Sequence, residues 1–179
     1  MTDDPLWAPW RLSYILSNKQ QPPPDGAELE LLDGADSACF LCQAAVDDNL
    51  PARHIVDRGE HVVTVLNRYP YNNGHLLVAP RRHLARLDQL PPAAEIELAR
   101  TITRMVGAIE QVLQPQGFNI GLNLGEAGGA GLPSHLHWHI VPRWNADTNF
   151  MPIVGQTNVI PQSLEALWGL LVEQLKQRG

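Results

Sequence analysis

The 179-residue chain is as informative in what it lacks as in what it holds. It has two cysteines, Cys39 and Cys42; a bridge across two intervening residues would be a redox motif, not a staple for a small secreted scaffold. It has no surplus of positive charge. Thirteen Lys and Arg against nineteen Asp and Glu give a net charge of −6, which excludes a protein that grips nucleic acid by bulk charge. A basic pocket for a small anion is still compatible with that balance. No run of about 18 apolar residues occurs, so no membrane span is expected. The opening MTDDPLWAPW lacks the basic-then-apolar order of a signal peptide. These absences lead to the expectation of a soluble, cytoplasmic protein. What is present is 44% hydrophobic residues, enough for a core, in a length that fits one domain over 1–179.

Three stretches divide that domain: an N-terminal arm and proline-rich loop over 1–38, a core over 39–144, and a tail and helix over 145–179. Trp7, Trp10 and Tyr14 stand beside Arg11 in the arm, and aromatics this close to a terminus are expected to pack on the body. QAAVDDNL (43–50) reads as a short helix ending before Pro51. His54–Val56, His61–Leu66 and HLLVAP (75–80) read as three strands of an antiparallel meander, with Arg58 and Gly59 at the first turn and NRYPYNNGH at the second. Pro91 and Pro92 open a helix whose apolar stripe is Ile96, Ala99, Ile102, Val106, Ile109 and Leu113. FNIGLNLG (118–125) and HLHWHIVPRW (135–144) read as further strands around a glycine-rich loop. A last helix spans about 163–176, with Leu164, Leu167, Trp168, Leu171 and Leu175 on one face. The fold class is α+β on a mainly antiparallel sheet.

Three of the chain's seven histidines, His135, His137 and His139, occupy every second position of GLPSHLHWHIVPRW. On a strand they would share a face about 6.8 Å apart, with Leu136, Trp138 and Ile140 packed on the core behind them. Two readings compete: the three rings hold a catalytic metal, or one of them attacks a substrate. Gly125, Gly128, Gly129 and Gly131 precede them. Such a loop is either a plain turn or a cradle whose backbone amides bind phosphate. Beside it, a neutral imidazole is suited to attack phosphorus, because its near-neutral pKa serves both attack and departure. CFLC (39–42) has its own alternatives: a redox pair, for which a thioredoxin-like setting is missing, two idle buried thiols, or half of a tetrahedral zinc site that needs two more ligands. Of the other histidines, His54 and His61 are expected to face solvent from the early strands. Arg81 and Arg82 are expected to be solvated. Arg143 either approaches a distal phosphate or lies at the surface, and Trp138 fills core or a dimer seam.

The run His135-Leu136-His137-Trp138-His139-Ile140-Val141 resembles the signature of the histidine-triad (HIT) superfamily. The resemblance extends through LNRYPYNNGHLLVAPRRH (66–83), LWAPWR, NLGEAGGAG and HIVPRWNADTNFMP, over roughly residues 6–155. The last motifs are most similar to the bacterial branch of diadenosine tetraphosphate phosphorylases, or ATP adenylyltransferases. The resemblance implies a dimeric HIT-like α+β fold that binds adenine nucleotides, with a divalent ion such as magnesium accompanying the nucleotide. It implies no nucleic-acid or membrane partner. His137 would be the nucleophile on the α-phosphate, His139 would assist near the leaving group, and His75 would lie behind His137. Asn67 would contact the ribose from a segment that includes Gly74. Asn123 would reach the phosphates together with backbone donors of Gly129, Ala130 and Gly131. The family's hydrolases place glutamine, and its phosphorylases serine or threonine, where this chain has Gly131; Ser134 is the nearby side chain that would substitute. Relatives that carry the cysteine pair bind structural zinc, and their other two ligands match His83 and His135. The implied activity is phosphorolysis of diadenosine tetraphosphate to ADP and ATP through an adenylyl-histidine intermediate. The alternatives are a hydrolase or phosphoramidase with water as acceptor, and a nucleotide-binding protein without turnover.

Overall fold

The computed structural model describes residues 29–148 and 160–177. The expected packing of Trp7, Trp10 and Tyr14, and the course of segment 149–159, lie outside the described residues. In chain order the elements are α1 (Phe40–Ala44), β1 (Ile55–Arg58), β2 (Val62–Leu66), β3 (Leu76–Pro80), a 3-10 turn (Leu87–Gln89), α2 (Pro92–Leu113), β4 (Gly117–Leu122), β5 (Trp138–Arg143) and α3 (Leu164–Lys176). The strands form one antiparallel sheet in the order β1-β2-β3-β5-β4.

Alternation along the strands divides the interior in two. Val62, Leu66, Leu76, Val78 and Ile140 point to one face, where Leu98, Met105, Ala108 and Ile109 of α2 and Leu167 and Leu171 of α3 cover them. Val63, Val65, Leu77 and Ala79 point to the other, under Cys39, Leu41, Cys42 and Ala44 of the α1 region. Every residue of β2 and β3 is therefore buried, as a strand packed on both faces must be. The α1 region covers this second face beside β2 and β3. Next to β5, Gly121 of β4 pairs with His139, and a Cβ built on Gly121 would meet nothing within 4 Å.

The elements begin and end for local reasons. Arg58 pairs with Val63 across a tight turn closed by the Gly59 N–H on the Val62 carbonyl at 2.9 Å. Pro92 sits in the first turn of α2, where its missing N–H costs nothing, and Gln114 ends the helix in the left-handed region at φ 48°. Ser163 caps α3, its Oγ accepting from the Ala166 N–H at 3.2 Å.

Four expectations change. The short helix lies over the cysteine motif and ends at Ala44, because Asp47 accepts from the Asn49 N–H and from Arg53 and turns the chain away. The buried stripe of α2 starts on Ala94, Leu98 and Thr101, leaving Ile96 54% exposed and Ala99 at the surface; Ile102, Val106, Ile109 and Leu113 do pack on the core. That rotation points Glu97 at the β1–β2 turn, where its carboxylate accepts from the His61 and Val62 amides at 3.1 Å. His54 is not a solvent-facing strand residue. It precedes β1 at φ 53°, with its side chain only 14% exposed and its Nε2 3.6 Å from Glu165 of α3. Arg81 is not simply solvated either, since it donates to the carbonyls of Ala45, Gly59 and Glu60 and ties α1 to the hairpin.

Candidate functional site

The histidine run does not form one continuous strand. β5 begins at Trp138, and His135 sits in a bend before it. The bend is held by the His135 N–H on the Leu132 carbonyl at 3.3 Å and by the Leu136 N–H on the Leu84 carbonyl at 2.7 Å. Leu136 and Ile140 are buried, and Trp138 packs against the helix-side core, as the alternation requires. The bend separates the three rings into two groups.

His135 turns toward the cysteines. One turn of α1 brings Cys39 and Cys42 to one side, three residues apart. His135 Nδ1 lies 3.2 Å from Cys39 Sγ and 3.6 Å from Cys42 Sγ, and His83 Nδ1 lies 3.2 Å from Cys42 Sγ. All four ligand atoms fall within 4.8 Å of one another. A zinc tetrahedron with bonds of about 2.3 Å to sulfur and 2.0 Å to nitrogen has edges of roughly 3.3–3.8 Å, so the spacing fits such an ion. His135 Nε2 donates to the Pro80 carbonyl at 2.8 Å, which leaves Nδ1 as the lone pair facing the thiols. The protonation of the pair points the same way. Sharing of a proton with Cys39 pulls the Cys42 thiol down, while that sharing and burial push the Cys39 thiol up. A zinc site needs both sulfurs as thiolates, which a bound cation would favour. The cluster takes only His135 from the triad, so the reading in which His135, His137 and His139 jointly ligate a catalytic metal does not fit this geometry.

His137 and His139 form the second group, with ring centroids 5.2 Å apart. His137 Nδ1 lies 2.8 Å from the His135 carbonyl oxygen. A carbonyl can only accept, so Nδ1 carries the hydrogen and the lone pair is on Nε2. Burial pushes His137 below the usual histidine value, which favours the neutral ring.

His139 is set from the other side. The Tyr71 N–H donates to His75 Nδ1 at 3.1 Å, and Asn67 Nδ2 lies 3.2 Å from the same nitrogen. With Nδ1 accepting, His75 carries its hydrogen on Nε2 and donates to His139 Nδ1 at 2.9 Å. A neutral His139 then holds its own hydrogen on Nε2. The Tyr71 ring stacks on His139 at 5.6 Å and tilts over His75 at 4.6 Å. Sequence reasoning placed His75 behind His137; the bond drawn from its Nε2 goes to His139. It missed Tyr71, whose one signal was an aromatic inside a turn cluster four residues before a buried histidine.

The other expected residues fall as follows. Asn67 follows β2, its N–H on the His75 carbonyl at 2.9 Å and its Oδ1 accepting from the Tyr69 N–H at 3.0 Å. Gly74 has φ +79°, and a Cβ there would lie 2.6 Å from Leu113 Cδ1 and 3.1 Å from Pro142 Cγ; the glycine is required by the turn and by close packing. In the glycine-rich loop, the Gly129 N–H donates to the Glu126 carbonyl at 2.9 Å and the Ala130 N–H to the Gly125 carbonyl at 3.1 Å. These two amides are used within the loop, so the expected cradle is not preformed from them. Asn123 Nδ2 reaches the Gly129 carbonyl at 3.4 Å. Gly131 and Ser134 are exposed. Arg143 lies at the surface, its guanidinium donating to Asp147 and to Asn119 Oδ1.

The model of the HIT domain matches residues 49–146 of this chain. An AP-4-A phosphorylase of Mycobacterium tuberculosis is 37% identical over 169 residues, covering 94% of this chain and 83% of that protein. Among solved structures, a zinc-bound histidine triad family protein from Mycobacterium smegmatis is 28% identical with a TM-score of 0.58, over 70% of this chain and 86% of that one. A histidine triad nucleotide-binding protein from Sulfolobus tokodaii gives 25% and 0.58, over 69% and 84%. With the histidine run, the sheet and the matched span in agreement, the chain belongs to the HIT-domain family.

Proposed function

We propose that this chain is a nucleotidyl transferase that cleaves diadenosine tetraphosphate, or a similar adenylylated nucleotide, by phosphorolysis to ADP and ATP. One observation carries the reading: the hydrogen bond from His137 Nδ1 to the His135 carbonyl, which leaves an unprotonated Nε2 on a buried, neutral ring. The 37% identity to an AP-4-A phosphorylase over most of the chain supports the substrate class.

In the first step His137 Nε2 attacks the α-phosphorus. The N–P bond forms, the bond to the bridging oxygen breaks, and ATP departs with that oxygen's charge. The ring becomes positively charged, and the His135 carbonyl, accepting from Nδ1, stabilises it. His139, donating from Nε2, stabilises charge on the phosphate and leaving oxygen. An oxygen of inorganic phosphate then attacks the same phosphorus, the N–P bond breaks, and ADP leaves. Asn67 contacts the ribose, and Asn123 with the Gly131 amide and Ser134 meets the polyphosphate once the loop opens. Cys39, Cys42, His83 and His135 hold a zinc ion, which supplies structural cross-linking in a closed four-ligand site. The chain pairs as a homodimer through the outer edge of β4, which meets no further strand among the described residues and where Ile120 is 47% exposed.

Gly131 provides no side-chain donor to choose the acceptor, so water stands as the rival to phosphate. Incubation with diadenosine tetraphosphate, with and without inorganic phosphate, separates them. ADP and ATP formed only with phosphate support the proposal, AMP formed without phosphate replaces it by hydrolysis, and no cleavage in either overturns it.

A further inference from the structure

The direction of the hydrogen bond that His139 offers is set by a turn, and something must hold that turn. His75 accepts at Nδ1 because the Tyr71 amide points at it, with Asn67 Nδ2, from the start of the same turn, 3.2 Å from that nitrogen. Tyr71 belongs to segment 67–75, which lies between β2 and β3. The residues next to Tyr71 are fixed from a different part of the chain. Asn72 Oδ1 accepts from the Asn73 N–H at 2.9 Å, which settles the orientation of its amide. Its Nδ2 then donates to Asp147 Oδ2 at 2.8 Å and to the Pro142 carbonyl at 3.2 Å. Asn73 Nδ2 donates to Gln162 Oε1 at 2.8 Å.

Asp147 is built as an anchor. Its Oδ2 also accepts from Arg143 Nε at 2.6 Å and from the Trp144 N–H at 3.2 Å, and its Oδ1 accepts from Arg143 Nη2 at 3.0 Å. The carboxylate is 9% exposed. With donors on both oxygens from Asn72, Arg143, Trp144 and Thr148, the carboxylate is fixed in place, and Asn72 is held against it.

We propose that Asp147 and Asn72 are positioning residues: by fixing the turn that aims Tyr71 N–H and Asn67 Nδ2 at His75 they hold the tautomer of His75, and so make His139 a donor at Nε2. The connection runs Asp147–Asn72–Tyr71 amide–His75–His139, with a stated donor and acceptor at each hydrogen bond. It reaches the reacting phosphate only through His139, so it rests on the functional reading above for its effect on rate. The tautomer itself can be observed without any substrate.

The test is nitrogen-15 NMR of histidine-labelled full-length protein, with His139 assigned by a His139→Gln variant, run beside steady-state kinetics on diadenosine tetraphosphate and phosphate. Wild type is expected to show His139 with its hydrogen on Nε2. Asn72→Ala and Asp147→Asn are expected to show a mixture of tautomers at His139, with kcat lower by roughly ten- to a hundredfold and KM changed less. Asn72→Ala carries the test if Asp147→Asn proves unstable. An unchanged His139 tautomer in Asn72→Ala, or a wild-type hydrogen on Nδ1, overturns the proposal. Unfolding of Asn72→Ala also overturns it, since the role would then be one of global stability. If the tautomer shifts as expected but wild type cleaves nothing, the phosphorolysis reading fails and the positioning role stands.

Discussion

His137 Nδ1 lies 2.8 Å from the carbonyl oxygen of His135, the residue whose ring turns away into the cysteine cluster. One backbone unit therefore carries both the acceptor that orients the buried His137 and a ligand of the candidate metal site. Disturbing the cluster should be felt at His137.

Purified protein is expected to contain about one zinc per chain, held by Cys39, Cys42, His83 and His135. Cys39→Ser should lose the metal, melt at a lower temperature and lose turnover with it. Elemental analysis and thermal melting check this. Metal-free wild type with full native stability would sink the assignment.

His75→Leu removes the donor to His139 Nδ1 while leaving His137 and its carbonyl acceptor in place. We expect kcat to fall by roughly ten- to a hundredfold with KM little changed. A loss confined to KM would indicate that His75 serves binding instead.

Gly74→Ala should destabilise the fold by about 1–3 kcal/mol, because φ is +79° and the new methyl would press on Leu113 and Pro142. Gly34→Ala is the control. It shares a positive φ of +74° but has nothing within 4 Å, so only the backbone term should appear. Urea denaturation of the pair compares them, and equal losses would contradict the packing argument.

Asp147 gives a pH dependence of stability. The Arg143 guanidinium holds its carboxyl at about 2, below the ordinary 3.8. A carboxyl lowered by folding binds fewer protons in the native state than in the unfolded chain. Its contribution is therefore complete above the ordinary value and lost as pH falls through about 2. Arg143 is 46% exposed, so solvent screening limits the contribution to about 1 kcal/mol. Wild type and Asp147→Asn should differ in urea midpoint near neutrality and converge in acid. A gap that stays constant with pH would contradict this origin.

Much of the fold was legible because alternation and spacing are local. Trp138 and Ile140 declared the inward face of β5, and Leu164, Leu167, Trp168 and Leu171 the packed face of α3. Ile96 was misplaced because the first turns of α2 offer two apolar stripes, and the choice depended on Glu97 reaching amides thirty-five and thirty-six residues away in sequence. The candidate site divides the same way. The histidine run and the cysteine pair are visible as residue types at fixed spacing. The bend at His135 is not, since it rests on a contact with Leu84. Closure of the glycine-rich loop depends on which amides turn inward, and composition is silent on that. Tyr71, Asn72 and Asp147 act through backbone and amide hydrogen bonds, which leave no motif of their own.

In the proposed reaction His137 carries the adenylyl group between donor and acceptor. Protein mixed with diadenosine tetraphosphate in the absence of phosphate, quenched in alkali to preserve a phosphorus–nitrogen bond, should yield one adenylyl group on the peptide that contains His137. Adding phosphate before the quench should discharge it as ADP. An adduct at another residue, or rapid phosphate-dependent turnover by His137→Asn, would rule out His137 as the carrier.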